Sequence, residues 1–289
     1  MKPVAFEYCR PETVPEAAAL LAELGDRGRL LAGGMSLGPM LNMRLVRPDA
    51  VVDLMRLDAL KAVQIGEETV STGAMLSQAA AFSNSELMRA VPLLALALPH
   101  VGHRQTRNRG TLGGSVAHGD PSAEIPLALV TLDGSVVLHS HARERCVRAR
   151  DFFQGALATA CRPDELVSRL DWPRQRTGEV YAFEEVAERH GDFAIAAVAC
   201  RLVLAGDGTI DALSLGLGGI EDRPLALPTD DYLGSPSTEG TAVDLAEAAA
   251  ARVQPIADPI AGADYRRHLT RLLVRHALER AFGQARRTP

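Results

Sequence analysis

The chain has 289 residues, 47% of them hydrophobic, and a formal net charge of −5. That length holds two domains, or one large one with an appendage, and the apolar content suffices for a full core. The acidic balance argues against sequence-independent nucleic-acid binding, which needs a basic surface to neutralise phosphates.

The N-terminus, MKPVAFEYCRPETV, has no apolar h-region and carries Glu7 early, so it does not read as a secretory signal. The longest apolar run, around VPLLALALPHV, is far short of the ~20 residues of a membrane-spanning helix. A soluble, cytoplasmic protein is expected. Cys9, Cys146, Cys161 and Cys200 form no CxxC pair and stand at no metal-site spacing with a histidine. Free or buried thiols are expected, with no iron–sulfur or zinc centre on this chain.

Thr13-Val14-Pro15-Glu16 is a capping box with proline in the first turn. Val14, Ala17, Leu20, Leu21 and Leu24 follow at helical spacing, and Gly25 stands where the helix should stop. A short strand over 30–32, the Gly33-Gly34 turn, a short helix and a buried strand over 50–54 complete an opening α/β unit. KAVQIGEETVSTGA (61–74) predicts a hairpin turning at Gly66-Glu67-Glu68. Helices are predicted over 77–89 and 91–98. Residues 103–126, HRQTRNRGTLGGSVAHGDPSAEIP, are polar, rich in glycine and without an apolar period. They read as a long loop, and loops of that length inside a compact domain are usually functional.

IPLALVTLDG then predicts a helix and GSVVLHS a strand. The composition shift at PRQRTG, 173–178, marks a boundary. EVYAFEEVA, FAIAAVACRLVLA and IDALSLGLG read as three strands, and helices over about 242–253 and 263–282 close the chain. On the last helix Tyr265, Leu269, Leu272, Leu273 and His276 form the expected apolar stripe. Arg266, Arg267, Arg271 and Arg275 are expected mostly to face away.

Two glycine clusters carry the candidate chemistry: AGGMS (32–36) and TLGGS (111–115). Successive backbone N–H groups in such turns make concavities that hold anions, and glycine lets a ligand approach the main chain. A single cluster serves a tight turn equally well. Two suggest an extended anion, such as the pyrophosphate of a dinucleotide. Neither has the GxGxxG spacing of a Rossmann fingerprint, and the chain contains no GxxxxGK[ST]. GLGG (216–219) simply ends a strand. His118, Asp120 and Glu124 follow the second cluster. The carboxylates could serve as acid and base, accept from ligand hydroxyls, or cap the helix beginning at Pro121–Ser122. No Ser/His/Asp or Cys/His set is readable, which suits a protein whose cofactor does the chemistry.

AGGMSLGPMLNMRL, RNRGTLGGSVAHGDPSAEIP and RHGDFAIAAVA, in that order, resemble three motifs of one family. It is the FAD-binding medium subunit of the molybdenum hydroxylases, the xanthine dehydrogenase or carbon monoxide dehydrogenase family, and the resemblance spans essentially the whole chain. It implies an α+β protein of two domains. Residues 1–175 would be an FAD-binding domain of the vanillyl-alcohol-oxidase (PCMH) type, with two α/β lobes, 1–57 and 58–175. Residues 176–289 would be a smaller C-terminal α+β domain with an antiparallel sheet and terminal helices.

The resemblance further implies non-covalent FAD between the glycine loops. Ala32, Gly33, Gly34, Met35 and Ser36 would contact the pyrophosphate, and Thr111, Gly113, Gly114 and Ser115 would grip its other side. Glu124 and Asp120 would meet FAD hydroxyls, Val167 would lie near the adenine, and Phe193 near the isoalloxazine. The implied role is electron transfer from the [2Fe–2S] clusters of a small subunit to an external acceptor. The molybdenum cofactor would sit on a large subunit, in a dimer of heterotrimers. Neither a catalytic residue nor a metal ligand is assigned to this chain.

Three positions depart from the family pattern. Met35 stands where Gln, His or Thr is common, and Asn42 replaces a frequent Lys. Glu185 replaces a frequent Lys near the flavin, and it is expected to face solvent. A self-contained FAD oxidoreductase and a flavin-free scaffold subunit are the alternative readings. The first lacks an evident substrate-directed base, and two intact glycine loops oppose the second.

Overall fold

The computed structural model describes residues 1–287. The first lobe is a small parallel α/β unit. Strands β1 (Glu7–Cys9), β2 (Gly28–Leu31) and β3 (Ala50–Asp53) form a sheet of order β1-β3-β2, with helices α1 (Val14–Leu24) and α2 (Leu37–Asn42) as its connections. The capping signal of α1 is realised: Thr13 Oγ1 accepts from the Glu16 N–H at 3.3 Å. The Glu16 carboxylate reaches back one residue further than a standard box, to the Glu12 N–H at 2.8 Å. Gly25 ends the helix with φ 52°.

The second lobe is built on a five-stranded antiparallel sheet. Its strands are β4 (Val63–Ile65), β5 (Thr69–Gly73), β6 (Ser135–Ser140) and β7 (Glu144–Arg148), with β10 (Glu165–Pro173) at the centre, in the order β4-β5-β10-β6-β7. A small hairpin, β8 (Phe153–Gly155) with β9 (Ala158–Thr159), precedes β10. This lobe is therefore α+β, a correction to the expected α/β unit. Its β4–β5 hairpin stands where predicted, while β7 and β10 carried no prediction. Between β5 and β6 run six helices: α3 (Gln78–Ser83), α4 (Ser85–Ala90), α5 (Pro92–Ala97), α6 (Arg104–Arg109), α7 (Leu112–His118) and α8 (Glu124–Thr131). A seventh, α9 (Ala149–Phe152), follows β7. The expected long loop at 103–126 thus contains α6 and α7. Neither has an apolar stripe long enough to show as a period, because each is barely two turns.

Strands β11 (Val180–Ala187), β12 (Ala194–Leu204), β13 (Ile210–Gly218) and β14 (Leu225–Leu227) form the C-terminal antiparallel sheet in sequential order. One face packs on α10 (Glu239–Arg252) and α11 (Ala263–Ala285), with Val180, Ala182, Val198 and Cys200 in the shared core. The other face sends Tyr181, Phe183, Ala197 and Ala199 into the core of the second lobe. Helix α8 lies between the two sheets and is buried at every position. A helix apolar all round belongs inside, and full burial of Ile125, Leu127 and Leu129 contributes about 1.5–3 kcal/mol each. The packing is close enough that a Cβ on Gly216 of β13 would stand 2.0 Å from Thr131 Oγ1.

The buried face of α11 is offset from the expected stripe. Leu269, Leu273, Val274, Ala277 and Leu278 are buried, whereas Tyr265, Leu272 and His276 are exposed. Arg266 is buried at 3% exposure. Its guanidinium donates to the Ile195 carbonyl, to the Gly219 carbonyl at 2.5 Å and to the Asp258 carboxylate at 2.5 Å. A buried charge needs such a set of partners, and here it anchors the helix to the ends of β12 and β13.

Candidate functional site

The two glycine clusters come together where the first lobe meets the second. A Cβ on Gly33 would stand 1.9 Å from the Arg109 carbonyl oxygen, and one on Gly114 would stand 3.4 Å from the Ala32 Cβ. Gly33 is thus required by the main chain of residues 109–110. Gly34 takes φ 75°, a conformation that favours glycine, and turns the chain out of β2 toward α2.

In this turn the backbone N–H groups of Gly33, Gly34, Met35 and Ser36 have no hydrogen-bond partner among the described residues. Unpaired main-chain donors are uncommon where burial limits access to water, and Gly33 is buried. Successive free N–H groups at a turn are the kind of donors that can hold an anion. The Met35 side chain is 41% exposed and makes no polar contact.

The second cluster is arranged differently. The Gly113 N–H donates to the Ala74 carbonyl at 2.9 Å, the Gly114 N–H to Thr111 Oγ1 at 2.9 Å, and the Ser115 N–H to the Thr111 carbonyl at 3.2 Å. Those three donors serve the fold. A Cβ on Gly113 would stand 2.3 Å from the Ala74 Cβ, so this glycine also answers to the chain's own packing. The Thr111 N–H and the Ser115 hydroxyl are the groups left without partners among the described residues.

Beyond α7, Asp120 Oδ1 accepts from the Ser122 N–H at 2.8 Å and shapes the turn into α8. The helix begins at Glu124, later than the predicted Pro121–Ser122. Glu124, its first residue, is buried. Burial pushes its carboxyl up to about 8, against the pull of its own N–H, and the carboxylates of Glu185 and Asp120 add to the rise.

Glu185 does not face solvent as expected. Along β11, Tyr181, Phe183 and Glu185 share a face, and that face lies against the second lobe. The Glu185 side chain is 4% exposed, with Oε1 3.5 Å from His100 Nδ1. Its Oε2 is buried without any hydrogen-bond partner. Glu184, on the opposite face, pairs with Arg280 of α11 at 2.7 Å. The alternation of EVYAFEEVA carried this information, since it puts Glu185 in step with Phe183.

The third motif closes the same region. The Gly191 Cα abuts Gly102 and His103, with a Cβ there 2.9 Å from His103 Nδ1, and the His100 ring lies 5.1 Å from that of Phe183 and 6.5 Å from that of His190. Phe193 is 67% exposed, and Val167 is buried on β10 in the second lobe's core. The structure therefore gathers 32–36, 109–115, 120–124 and 185–191 onto connected elements. The four cysteines sit apart on β1, β7, the turn before β10 and β12. Among the described residues, no helix is long and apolar enough to cross a membrane, and no three His, Cys, Asp or Glu come together as metal ligands.

Residues 4–175 match the family described as the FAD binding domain in molybdopterin dehydrogenase. Residues 181–281 match the carbon monoxide dehydrogenase flavoprotein C-terminal domain. The chain is 33% identical to the 6-hydroxypseudooxynicotine dehydrogenase complex subunit alpha of Paenarthrobacter nicotinovorans, covering 100% of this chain and 98% of that one. It is 34% identical to the carbon monoxide dehydrogenase medium chain of Afipia carboxidovorans, covering 99% and 100%. Quinoline 2-oxidoreductase from Pseudomonas putida 86 contains a chain that superposes with a TM-score of 0.94 at 33% identity, covering 99% of each. With both domains matched and the likeness running end to end, the chain belongs to the FAD-binding medium subunits of the molybdenum hydroxylase family.

Proposed function

We propose that this chain is the FAD-carrying electron-transfer subunit of a heterotrimeric molybdenum hydroxylase. It accepts electrons from the [2Fe–2S] clusters of a small subunit and passes them to an external acceptor. The large subunit holds the molybdenum cofactor and the substrate. FAD, when bound, supplies the exchange between one-electron and two-electron transfer.

The row of unpaired N–H groups at residues 33–36 carries this reading. It offers main-chain donors to a pyrophosphate, a fit that needs no side chain. On the other side the Thr111 N–H and Ser115 Oγ donate, with Gly113 and Gly114 keeping the segment close to Ala74 and Ala32. Glu124 and Asp120 hold cofactor hydroxyls. Phe193, exposed on the segment before β12, covers the isoalloxazine side. Val167 shapes the second lobe's core on the adenine side.

The relatives support placing substrate choice elsewhere. Their names cite carbon monoxide, a hydroxylated nicotine derivative and quinoline, yet their chains share this architecture over their full length. Purification of the chain tests the cofactor: it should be yellow, or become so with added FAD, and acid should release the flavin intact. A colourless protein that takes up no FAD would overturn the reading. Co-purification of an iron–sulfur chain and a molybdenum chain from the native host tests the partners. A yellow monomer with turnover of its own would favour the self-contained oxidoreductase.

A further inference from the structure

The far end of α2 presents a surface that the glycine clusters do not use. We propose that this face of the first lobe docks a partner subunit of the complex, through a partner surface that sets carboxylates around apolar side chains. That partner belongs to the heterotrimer reading above; the face and its chemistry go beyond it.

Helix α2 ends on a Schellman motif. The Arg44 N–H donates to the Leu41 carbonyl at 3.0 Å and the Leu45 N–H to the Met40 carbonyl at 2.9 Å. The pivot of the motif is Arg44, at φ 60°. That backbone favours glycine, and a side chain there is held at a conformational cost. Such motifs commonly fold the next apolar side chain back onto the helix, yet Leu45 is 68% exposed and Met43 beside it 49%. Pro39, Asn42 and Met43 share the outward face of α2, with Met35 at its start, all exposed and none charged. Methionine is unbranched and polarizable and adapts to the surface it meets.

Cations edge this face. Arg44 Nε donates to the Lys2 carbonyl at 3.2 Å, and Arg47 Nε to the Arg44 carbonyl at 3.4 Å. These contacts draw Lys2, Arg44 and Arg47 together, all exposed, and none has a carboxylate partner among the described residues. Asp49, the nearest acid in sequence to Arg44 and Arg47, turns to Arg27 at 3.8 Å. On α11, by contrast, Arg271, Arg275 and Arg280 are each paired with a glutamate.

An apolar centre edged by free cations fits an acidic protein surface. A second copy of this chain, docked about a two-fold axis, would set the same cations against one another. Three cations on a chain of net charge −5 fall short of the polybasic clusters that hold proteins to anionic lipid. The N–H row at 33–36 stands at the other end of α2, about 9 Å away for a helix of six residues.

The test uses the full chain, tagged and expressed in the native host in place of its own copy, as wild type, R44E/R47E and R44G. Wild type should retain an iron–sulfur chain and a molybdenum chain, identified by mass and by iron and molybdenum content. R44E/R47E should retain at least one of them about tenfold less, because like charges then face each other across the contact. R44G should unfold at or above the wild-type midpoint, since glycine suits the turn, yet retain less of the same chain. A lower midpoint in R44G with undiminished retention would make Arg44 a structural residue and overturn the proposal. FAD affinity should be unchanged in both variants; a tenfold loss, about 1.4 kcal/mol, would assign the cations to the cofactor and overturn it. Flotation of wild type but not R44E/R47E on phosphatidylserine vesicles, with both chains retained by the variant, would assign the face to lipid instead. Retention of both chains by R44E/R47E at the wild-type level would overturn the docking face and leave the heterotrimer reading standing. A wild type that retains neither chain would overturn both.

Discussion

Gly33 and Arg109 are separated by so little space that a methyl group between them would overlap the Arg109 carbonyl, at 1.9 Å from its oxygen. The contact joins the first lobe to the second and holds the two glycine clusters side by side. Glycine at 33 is therefore a packing requirement before it is a ligand requirement.

Gly33→Ala should destabilise the FAD-free chain by ~1–3 kcal/mol or more, the usual range for overpacking a tight contact. Thermal unfolding without cofactor checks this. An unchanged midpoint would show that the loops part easily.

Met35→Ala should leave FAD affinity within about 0.5 kcal/mol of wild type, as expected for an exposed side chain with no polar contact. Equilibrium titration with FAD is the measurement. A loss of tenfold or more would mean that the thioether itself touches the cofactor.

Arg266→Ala should cost about 3–5 kcal/mol, since it strips partners from two buried carbonyls and from Asp258. Arg266→Lys should recover only part, because one ammonium nitrogen cannot stand both where Nη1 serves the two carbonyls and where Nη2 serves the Asp258 carboxylate. Urea unfolding of the two variants separates these outcomes.

Glu165 gives the acid limb of stability. Burial alone would raise its carboxyl, but Arg145, donating at 2.6 and 2.7 Å, and the Arg162 N–H at 2.9 Å outweigh it and hold it below the ordinary carboxylate range. Its folded value is depressed, so its contribution is complete above the unfolded value and is lost as pH falls through the folded one. Glu165→Gln should lower stability at pH 7 and flatten the decline between about pH 5 and pH 3. Urea midpoints against pH measure it. An acid limb as steep as that of wild type would assign it to other carboxylates. Glu124 has the opposite sign, with stability falling as pH rises.

The residues that were legible in the sequence are those whose signal is local. Thr13 to Gly25 announced a helix by caps, and the two glycine clusters announced turns with bare backbone. What was hidden depends on partners distant in the chain. Nothing near Gly113 reveals that its N–H goes to Ala74, or that Gly33 faces Arg109. A stripe drawn from apolar residues puts Arg266 outside and cannot foresee an arginine anchored on two carbonyls. Glu185 misleads for a different reason: its charge argues for solvent, while period two puts it in step with Phe183. Helices α6 and α7 look like loop in the sequence because two turns are too short for periodicity to register.

Ser36→Pro tests most directly whether backbone donors at 33–36 hold FAD. Ser36 has an unpaired N–H, so proline removes a donor without breaking a hydrogen bond within the chain, at the cost of drawing φ from −97° to about −65°. FAD titration of the cofactor-free chain should give one site in wild type. In the variant it should bind about 10–100-fold more weakly, the equivalent of one hydrogen bond to a charged group at ~1.5–3 kcal/mol, with an unfolding midpoint close to that of wild type. Equal affinity in the two proteins, or no binding by wild type, would contradict it.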